Sequence, residues 1–409
     1  MQKTGYTGIA LEYASEVLDD GPPASAAEEL AGIERWERGM LESIEMSQPG
    51  SFVAFKYSGM GSAALARLKG NEPPTERMQA AIDRVCEAAV ERGVRVSPAA
   101  EPQNAQAAVN GWTLELARRF NRADGGKEGK EGEAMIYNTY QAYLKSTLRT
   151  LAADLLMAER EGFTLGVKLV RGAYLATEER GLIHDTKQDT DSAYDGIAAA
   201  LIRGRWEGTL GKARAELLAQ RDSMSDRDVG GSGSDNMARV DLLLAGHNQV
   251  SVTKALELRR GRLAQAASMP PSDATSAPPL GDVAFAQLQG MADEVSCMLL
   301  AEQRRGERQR LPSTTPSTTP ASSSSSSPTA STSAPPSLNP NTTQTVTTAQ
   351  PQPEPHVFKY CNWGTLPETL AYLLRRADEN RDAVMRTEGT RRAMAGEVVR
   401  RMRGLVGLR

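Results

Sequence analysis

Eight strand-like segments, each followed by a stretch with helical periodicity, predict an α/β fold for this chain of 409 residues. Their number predicts a closed (β/α)8 TIM barrel. Two further observations favour closure. The low-complexity stretches all follow a helix and precede a strand, and such a barrel keeps those connections on its bottom face. Polar residues, in turn, gather at the C-terminal ends of the strands, where a barrel keeps its chemistry. A doubly wound open sheet is the alternative, but no G-x-G-x-x-G follows the first strand, which counts against a dinucleotide-binding domain.

The strand segments run in order along the chain. Residues 8–13 (GIALEY) and 52–58 (FVAFKYS) are short apolar runs that end in polar groups. Residues 94–100 (VRVSPAA) make the weakest strand, because Pro98 cannot donate to a ladder. Then come 134–141 (AMIYNTYQ), 164–172 (TLGVKLVRG), 239–247 (RVDLLLAGH), 282–289 (DVAFAQLQ) and 356–361 (HVFKYC). Helical periodicity follows at 103–120, 143–161, 191–219 and 365–380, among others. One barrel domain over 1–409 accounts for all of them. Residues 311–355 are almost wholly Pro, Ser, Thr, Gln and Asn, and are expected to form a disordered insertion between the seventh helix and the eighth strand. Shorter stretches of similar character lie at 122–133, 221–238 and 268–281. Long bottom-face loops cost little, since closure entropy grows only logarithmically with length. The basic amphipathic runs within 385–408 read as a packed C-terminal helix.

Composition excludes several classes. The net charge of −3 does not suggest a nucleic-acid partner. No apolar run approaches the ~18–20 residues that span a bilayer. Cys86, Cys297 and Cys361 lie far apart and form neither a metal spacing nor a disulfide framework, which favours a reducing compartment. His184, His247 and His356 show no ligand spacing, so no metal is expected. The N-terminus, MQKTGYTGIALEY, reads as neither a signal peptide nor an organellar presequence.

The strand ends carry the chemistry. Strand two ends with Lys56, strand four with Gln141, and strand six with His247 and Asn248. Strand seven ends in LQGM and strand eight carries Tyr360. In strand five, GVKLVRGAYL, alternation puts Lys168, Val170 and Gly172 on one face and Val167, Leu169 and Arg171 on the other. One cation therefore points into the barrel, and Gly172-Ala173 leaves bare backbone for a ligand to approach. In the last helix, Tyr372, Arg375, Arg376 and Glu379 share one polar face at spacings of three and four. Arginine suits bidentate carboxylate binding, and Glu379 is placed to hold one guanidinium. Each feature alone also fits a satisfied polar residue at a barrel mouth or an exposed, salt-bridged helix face.

Together, KLVRGAYL, YNTYQAYLK, AGHN, QLQGM and AYLLRRADEN resemble the proline dehydrogenases, most closely those of fungal mitochondria. The resemblance runs from about residue 5 to the C-terminus, interrupted by the low-complexity stretches. It implies a (β/α)8 barrel holding FAD that oxidises L-proline to pyrroline-5-carboxylate and passes electrons to a membrane quinone, in mitochondria. It further implies that Arg375, Arg376 and Lys56 bind the proline carboxylate, and that Tyr360, Tyr372, Leu288 and Tyr174 wall the ring. Gln141, Lys168, Val170, Gly172, His247 and Asn248 would contact FAD, Thr186 and Lys187 would lie toward its adenine end, and Glu379 would orient an arginine. The chain departs from the family in one place. SPAAE puts Ala99 where the family's V-D-A-E stretch has Asp, while Glu101 keeps the following acid. An acid beside Lys56 would offset the site's cations, so its loss is expected to weaken proline binding or flavin placement. A second reading follows: a catalytically inactive relative, acting as a binding or regulatory protein through its Ser/Thr/Pro tract.

Overall fold

The computed structural model describes residues 4–17, 24–122, 132–175, 177–223, 237–269, 281–310 and 355–379, with a few positions between 395 and 403. The tract 311–354 lies outside the described residues. Eight parallel strands form one sheet: β1 (Gly8–Tyr13), β2 (Phe52–Phe55), β3 (Arg95–Pro98), β4 (Tyr137–Gln141), β5 (Leu165–Val170), β6 (Val240–Ala245), β7 (Val283–Leu288) and β8 (His356–Trp363). Their order is β3-β2-β1-β8-β7-β6-β5-β4. A bridge between Val96 and Ile136 links β3 to β4 and nearly closes the barrel. Thr139 Oγ1 donates to Pro98 O at 2.6 Å across the same seam.

Among the described residues, ten helices follow the strands: α1 (Ala26–Met46), α2 (Ser62–Lys69), α3 (Glu76–Arg92), α4 (Gln103–Phe120), α5 (Thr147–Glu161), α6 (Lys187–Arg203), α7 (Gly208–Ser223), α8 (Gln249–Ser268), α9 (Asp293–Arg310) and α10 (Leu366–Glu379). All eight predicted strands form: β2 to β7 are two or three residues shorter than predicted, β1 matches, and β8 runs two residues further. Pro98 is tolerated because it is the last residue of β3, where a missing N–H costs little. The single helical stretch predicted over 191–219 is two helices. Gly204 ends α6 in the left-handed region at φ 63°, which a residue with a Cβ reaches only at a cost. The described positions Val398, Val399 and Met402 are helical and exposed, so the packing expected of the C-terminal runs is not seen there.

Alternation along the strands divides the apolar residues into two layers. Outward positions such as Val53, Phe55, Val167, Leu169, Leu242 and Phe285 meet the helices in one large core. Inward positions, among them Ala10, Phe52, Ala54, Tyr137, Leu243, Ala284 and Phe358, form a smaller plug inside the barrel. Phe52 makes edge contacts with Tyr137 and Phe358, both at 5.0 Å between centroids. Below the plug, Asp282 links Arg95 at 3.3 Å to His356 at 3.0 Å. The mouth lies above, at the C-terminal ends of the strands, where barrels of this kind keep their chemistry.

One buried group in the helix layer limits stability. Asp154 on α5 is 6% exposed and accepts the Tyr140 hydroxyl at 2.7 Å. Burial pushes its carboxyl up to about 7. Its folded value exceeds its unfolded one, so the native state holds the extra proton and loses stability as pH rises from about 4 to 7. Asp154→Asn keeps an acceptor for Tyr140 and removes the charge. It should raise the unfolding free energy by about 2–4 kcal/mol at pH 8 and change it little at pH 4. Denaturant titrations at the two pH values would check this; an equal effect at both would contradict it.

Candidate active site

The inward face of each strand contributes one residue or more to the mouth. Lys56 follows β2, is 2% exposed, and sits between three partners. Its Nζ lies 2.5 Å from Glu16 Oε2, 3.9 Å from Glu101 Oε2 and 2.5 Å from the Tyr174 hydroxyl. Burial alone would depress its ammonium, but Tyr174, Glu101 and Glu16 together hold it above the ordinary lysine range. Tyr174 comes from the loop after β5 and donates its hydroxyl to Ala100 O at 2.9 Å. Glu16, in the loop after β1, also pairs with Arg375 on α10. Burial would raise its carboxyl, but Lys56 and Arg375 bring it below the usual carboxylate value.

Ala99 therefore does not leave Lys56 uncompensated. Ala99 is 8% exposed at the end of β3, and the acids that offset Lys56 arrive from Glu16 and Glu101. Sequence reading missed Glu12 and Glu16. Glu12 was detectable by the signal that exposed Lys168, a charge in phase with the inward residues of its own strand. Glu16 lies in a loop, where no periodicity marks it.

Helix α10 lies across the mouth. Its inward face presents Tyr372, which is 4% exposed, together with Arg375 and Arg376. The Arg376 guanidinium stands 5.1 Å from the Tyr372 ring centroid, and that of Arg375 stands 5.7 Å from the Tyr174 ring. The expected carboxylate clamp of Lys56, Arg375 and Arg376 is thus brought together with Tyr174 and Tyr372. Glu379 is the last residue of α10, and its side chain lies outside the described residues. Among the described residues, Glu16 pairs with Arg375.

A second group of residues lines the β4–β6 side. Lys168 on β5 is 5% exposed and points inward, with its Nζ 3.5 Å from the Tyr360 hydroxyl of β8 and 4.9 Å from that ring's centroid. Burial lowers its ammonium to about 8, with Glu12 opposing the shift and Arg376 and Lys56 adding to it. Because its folded value lies below its unfolded one, wild-type stability should rise between pH 8 and 10.5 as the native state sheds its proton first. Lys168→Met should therefore gain about 3 kcal/mol of stability at pH 7, and the gain should shrink above pH 8. Thermal unfolding across that range checks it; a loss of stability at pH 7 would contradict it.

Gln141 ends β4 and is 1% exposed. Its Oε1 accepts from Ala173 N at 3.0 Å, while its Nε2 is buried without a partner. A buried donor left unpaired costs about 1–3 kcal/mol, so the amide marks a place for a ligand acceptor. Beside it, a Cβ on Gly172 would come within 2.3 Å of the Tyr143 ring, so the lip of the mouth must be bare backbone. Val170 is half-buried at the end of β5, and Leu288 of β7 packs against the inner plug.

The remaining predicted residues sit at helix starts around the same rim. His247 Nε2 accepts from Leu288 N at 3.1 Å, joining the ends of β6 and β7. Asn248 caps α8, accepting from Ser251 N at 3.2 Å. Thr186 caps α6 in a reciprocal box with Asp189, and Lys187 pairs with Asp191. Asp191 in turn holds Arg171 at 2.9 Å. Thr186, Lys187 and Asn248 thus have structural partners already, and they stand further out than Gln141 and Lys168. The mouth gathers the cations Lys56, Lys168, Arg375 and Arg376, the acids Glu12, Glu16 and Glu101, and the tyrosines Tyr174, Tyr360 and Tyr372, with the starts of α6 and α8 at its rim. The cations and rings suit a small carboxylate with an apolar ring, and the helix N-termini at the rim suit a larger, partly anionic group.

Comparison with known proteins gives the family. Residues 2–318 match the family model described as Proline dehydrogenase. The probable proline dehydrogenase, mitochondrial, of Schizosaccharomyces pombe is 28% identical over 309 residues, covering 76% of this chain and 47% of that protein. The hydroxyproline dehydrogenase of Bos taurus is 28% identical over 338 residues, covering 82% of this chain and 54% of that protein. The chain thus spans about half the length of these curated relatives. Among solved structures, proline utilization A (PutA) from Bdellovibrio bacteriovorus, inactivated by N-propargylglycine, superposes with a TM-score of 0.53. That match covers 93% of this chain and 30% of that one at 14% identity, and so speaks for the fold. Sequence motifs, barrel and family match converge: the chain belongs to the proline dehydrogenase family.

Proposed function

We propose that this chain catalyses the FAD-dependent oxidation of L-proline to pyrroline-5-carboxylate and hands the electrons to a membrane quinone. One observation carries the reading. The cations Lys56, Arg375 and Arg376 converge on a pocket walled by Tyr174, Tyr360 and Tyr372, directly beside Lys168 and the unpaired Gln141 amide. The first group fits an amino-acid carboxylate and the second fits the edge of a flat, acceptor-rich ring.

Gln141, Lys168, Val170, Gly172, His247 and Asn248 would hold FAD, with Thr186 and Lys187 toward its adenine end. When bound, the flavin supplies the hydride acceptor for the ring carbon next to the proline nitrogen. The protein's task is then mostly orientation. Arg375 and Arg376 bind the substrate carboxylate by charge-assisted hydrogen bonds, and Lys56 adds a third cation. The carboxylate competes with Glu16 for Arg375, and Glu16 offsets part of the clamp's positive charge. Tyr174, Tyr360, Tyr372 and Leu288 enclose the ring and exclude water. Lys168 would hold positive charge beside the acceptor and so favour its reduced form.

The inactive-relative reading is not favoured: the family match supports proline oxidation, and Glu16 pairs with Lys56 where Ala99 offers no acid. We assign the chain to one barrel domain, since β8 hydrogen-bonds to both β7 and β1 and so joins the residues on either side of 311–354 in one sheet. The Ser/Thr/Pro tract within that gap is a candidate interaction segment. The relatives named mitochondrial support the same location here. The test is direct: protein purified with added FAD should be yellow and should bleach anaerobically on addition of L-proline. A colourless protein, or a yellow one that proline leaves unchanged, would overturn the proposal.

A further inference from the structure

Arg171 is the second cation of GVKLVRGAYL, and the proline chemistry does not use it. It follows β5 directly, in phase with Val167 and Leu169, so its side chain leaves the barrel on the helix side and does not enter the mouth. There its guanidinium joins two helices. Nε donates to Asp191 Oδ1 of α6 at 2.9 Å, and Nη2 donates to Ser251 Oγ of α8 at 2.8 Å. The guanidinium also stands 4.3 Å from the ring centroid of Tyr194, on α6. Both acceptors are themselves held. Lys187 pairs with Asp191. The Ser251 hydroxyl donates to Asp195 Oδ1 at 2.5 Å, and Lys254 holds the other oxygen of Asp195 at 2.7 Å.

We propose that Arg171 is a positioning residue for the flavin: it locks the Gly172-Ala173 lip against α6 and α8 near their N-termini. The inference rests on the reading of this rim as the flavin site. The Arg171 backbone is fixed from the opposite side, where its carbonyl accepts from Tyr143 N at 2.7 Å. Two residues on, Ala173 N donates to Gln141 Oε1 at 3.0 Å. The lip is thus pinned to the loop after β4 through backbone and to both helices through one side chain. Gly172 cannot stiffen the lip itself. It has no side chain, and a Cβ there would strike the Tyr143 ring. The stiffness of that bare backbone must come from a neighbour. Arginine suits the task, because its rigid fork aims two donors at two acceptors at once, which the single ammonium of lysine does not reproduce. A lip already held in one conformation lowers the ordering cost of binding a ligand against it. Arg171 therefore acts through the lip, without touching the flavin.

The experiment compares the wild-type holoenzyme with Arg171→Gln, Arg171→Lys, Ser251→Ala and the double variant Arg171→Gln/Ser251→Ala. Ser251→Ala removes only the hydroxyl, since the Ser251 backbone amide keeps its bond to the Asn248 cap. Each protein is measured for its rate of flavin release, read as rising fluorescence after dilution, and for hydrogen exchange at the Tyr143 and Ala173 amides. Arg171→Gln should release flavin about tenfold faster or more and exchange faster at both amides. Arg171→Lys should release it nearly as fast, because the charge alone does not hold the lip. Ser251→Ala should shift both readouts in the same direction by a smaller factor. Adding Ser251→Ala to Arg171→Gln should speed release by less than about twofold more, because both changes remove the same bond. Wild-type release in Arg171→Gln or in Arg171→Lys would overturn the proposal. So would fast release in Arg171→Gln with wild-type release and exchange in Ser251→Ala, since Arg171 would then act on the flavin itself. If Arg171→Gln does not fold, Ser251→Ala decides, and unchanged release there would overturn it. A wild-type protein that binds no flavin would instead overturn the functional reading itself.

Discussion

Replacing Arg375 with methionine should lower kcat/KM for proline by about 10²–10³-fold while leaving flavin content unchanged. The magnitude follows from removing one partner of a desolvated, hydrogen-bonded ion pair, a change that costs about 2–5 kcal/mol. Arg375 is the clamp cation that reaches across from α10 to Glu16. Its loss removes the group that the substrate carboxylate takes over, yet Glu16 retains Lys56 at 2.5 Å, so the pocket does not collapse. Arg376→Met should act in the same direction, because Arg376 lies over the Tyr372 ring on the same helix face. Flavin content separates the two sides of the mouth, since Gln141 and Lys168 are untouched. If both substitutions lost flavin and proline affinity together, the assignment of the clamp would be wrong.

The second large effect is on stability. Lys56→Met should destabilise the protein by about 3–5 kcal/mol near neutral pH. Lys56 is 2% exposed, and its partner Glu101 is fully buried. Methionine matches the lysine stem in length but leaves Glu16 with one cation and Glu101 with none at comparable range. Burial already raises the Glu101 carboxyl, with Lys56 opposing it. Without Lys56 that carboxyl moves higher, so the variant should lose stability as pH rises above about 5. Wild-type Glu16 behaves in the opposite sense. Its folded value lies below its unfolded one, so its contribution is present above the unfolded value and lost as pH falls through the folded one. The difference in melting temperature between wild type and Lys56→Met should therefore be larger at pH 8 than at pH 5. A difference that is constant with pH would show that the buried acids are not what the lysine supports.

Much of the barrel was legible because strand alternation is a strong signal when one face is charged and the other apolar. Lys168 illustrates this. Its neighbours Val167 and Leu169 join the helix-facing core, while it points to the mouth. The split between α6 and α7 was less legible, since the apolar spacing of 191–219 continues across Gly204 and only the left-handed turn interrupts it. In the site, the residues that strands and helices present in phase were found: Lys56, Gln141, Lys168, Tyr360, Tyr372, Arg375 and Arg376. Glu12 obeyed the same rule and was passed over within an otherwise apolar run. Glu16 could not be found that way. Its importance comes from Lys56 and Arg375, which lie 40 and 359 positions away in the chain and meet it only after the barrel closes. The acid that pairs with Lys56 beside Ala99 was hidden for the same reason, because Glu16 comes from the loop after β1.

The central claim is that this mouth oxidises proline at the flavin, and a stoichiometric single turnover tests it most directly. Under anaerobic conditions and with no other acceptor, L-proline should bleach the bound flavin and release pyrroline-5-carboxylate, trapped with o-aminobenzaldehyde, in equal amounts. One pyrroline formed per flavin reduced is the result this account expects. A flavin that keeps its colour, or one that bleaches without yielding the pyrroline, would contradict it.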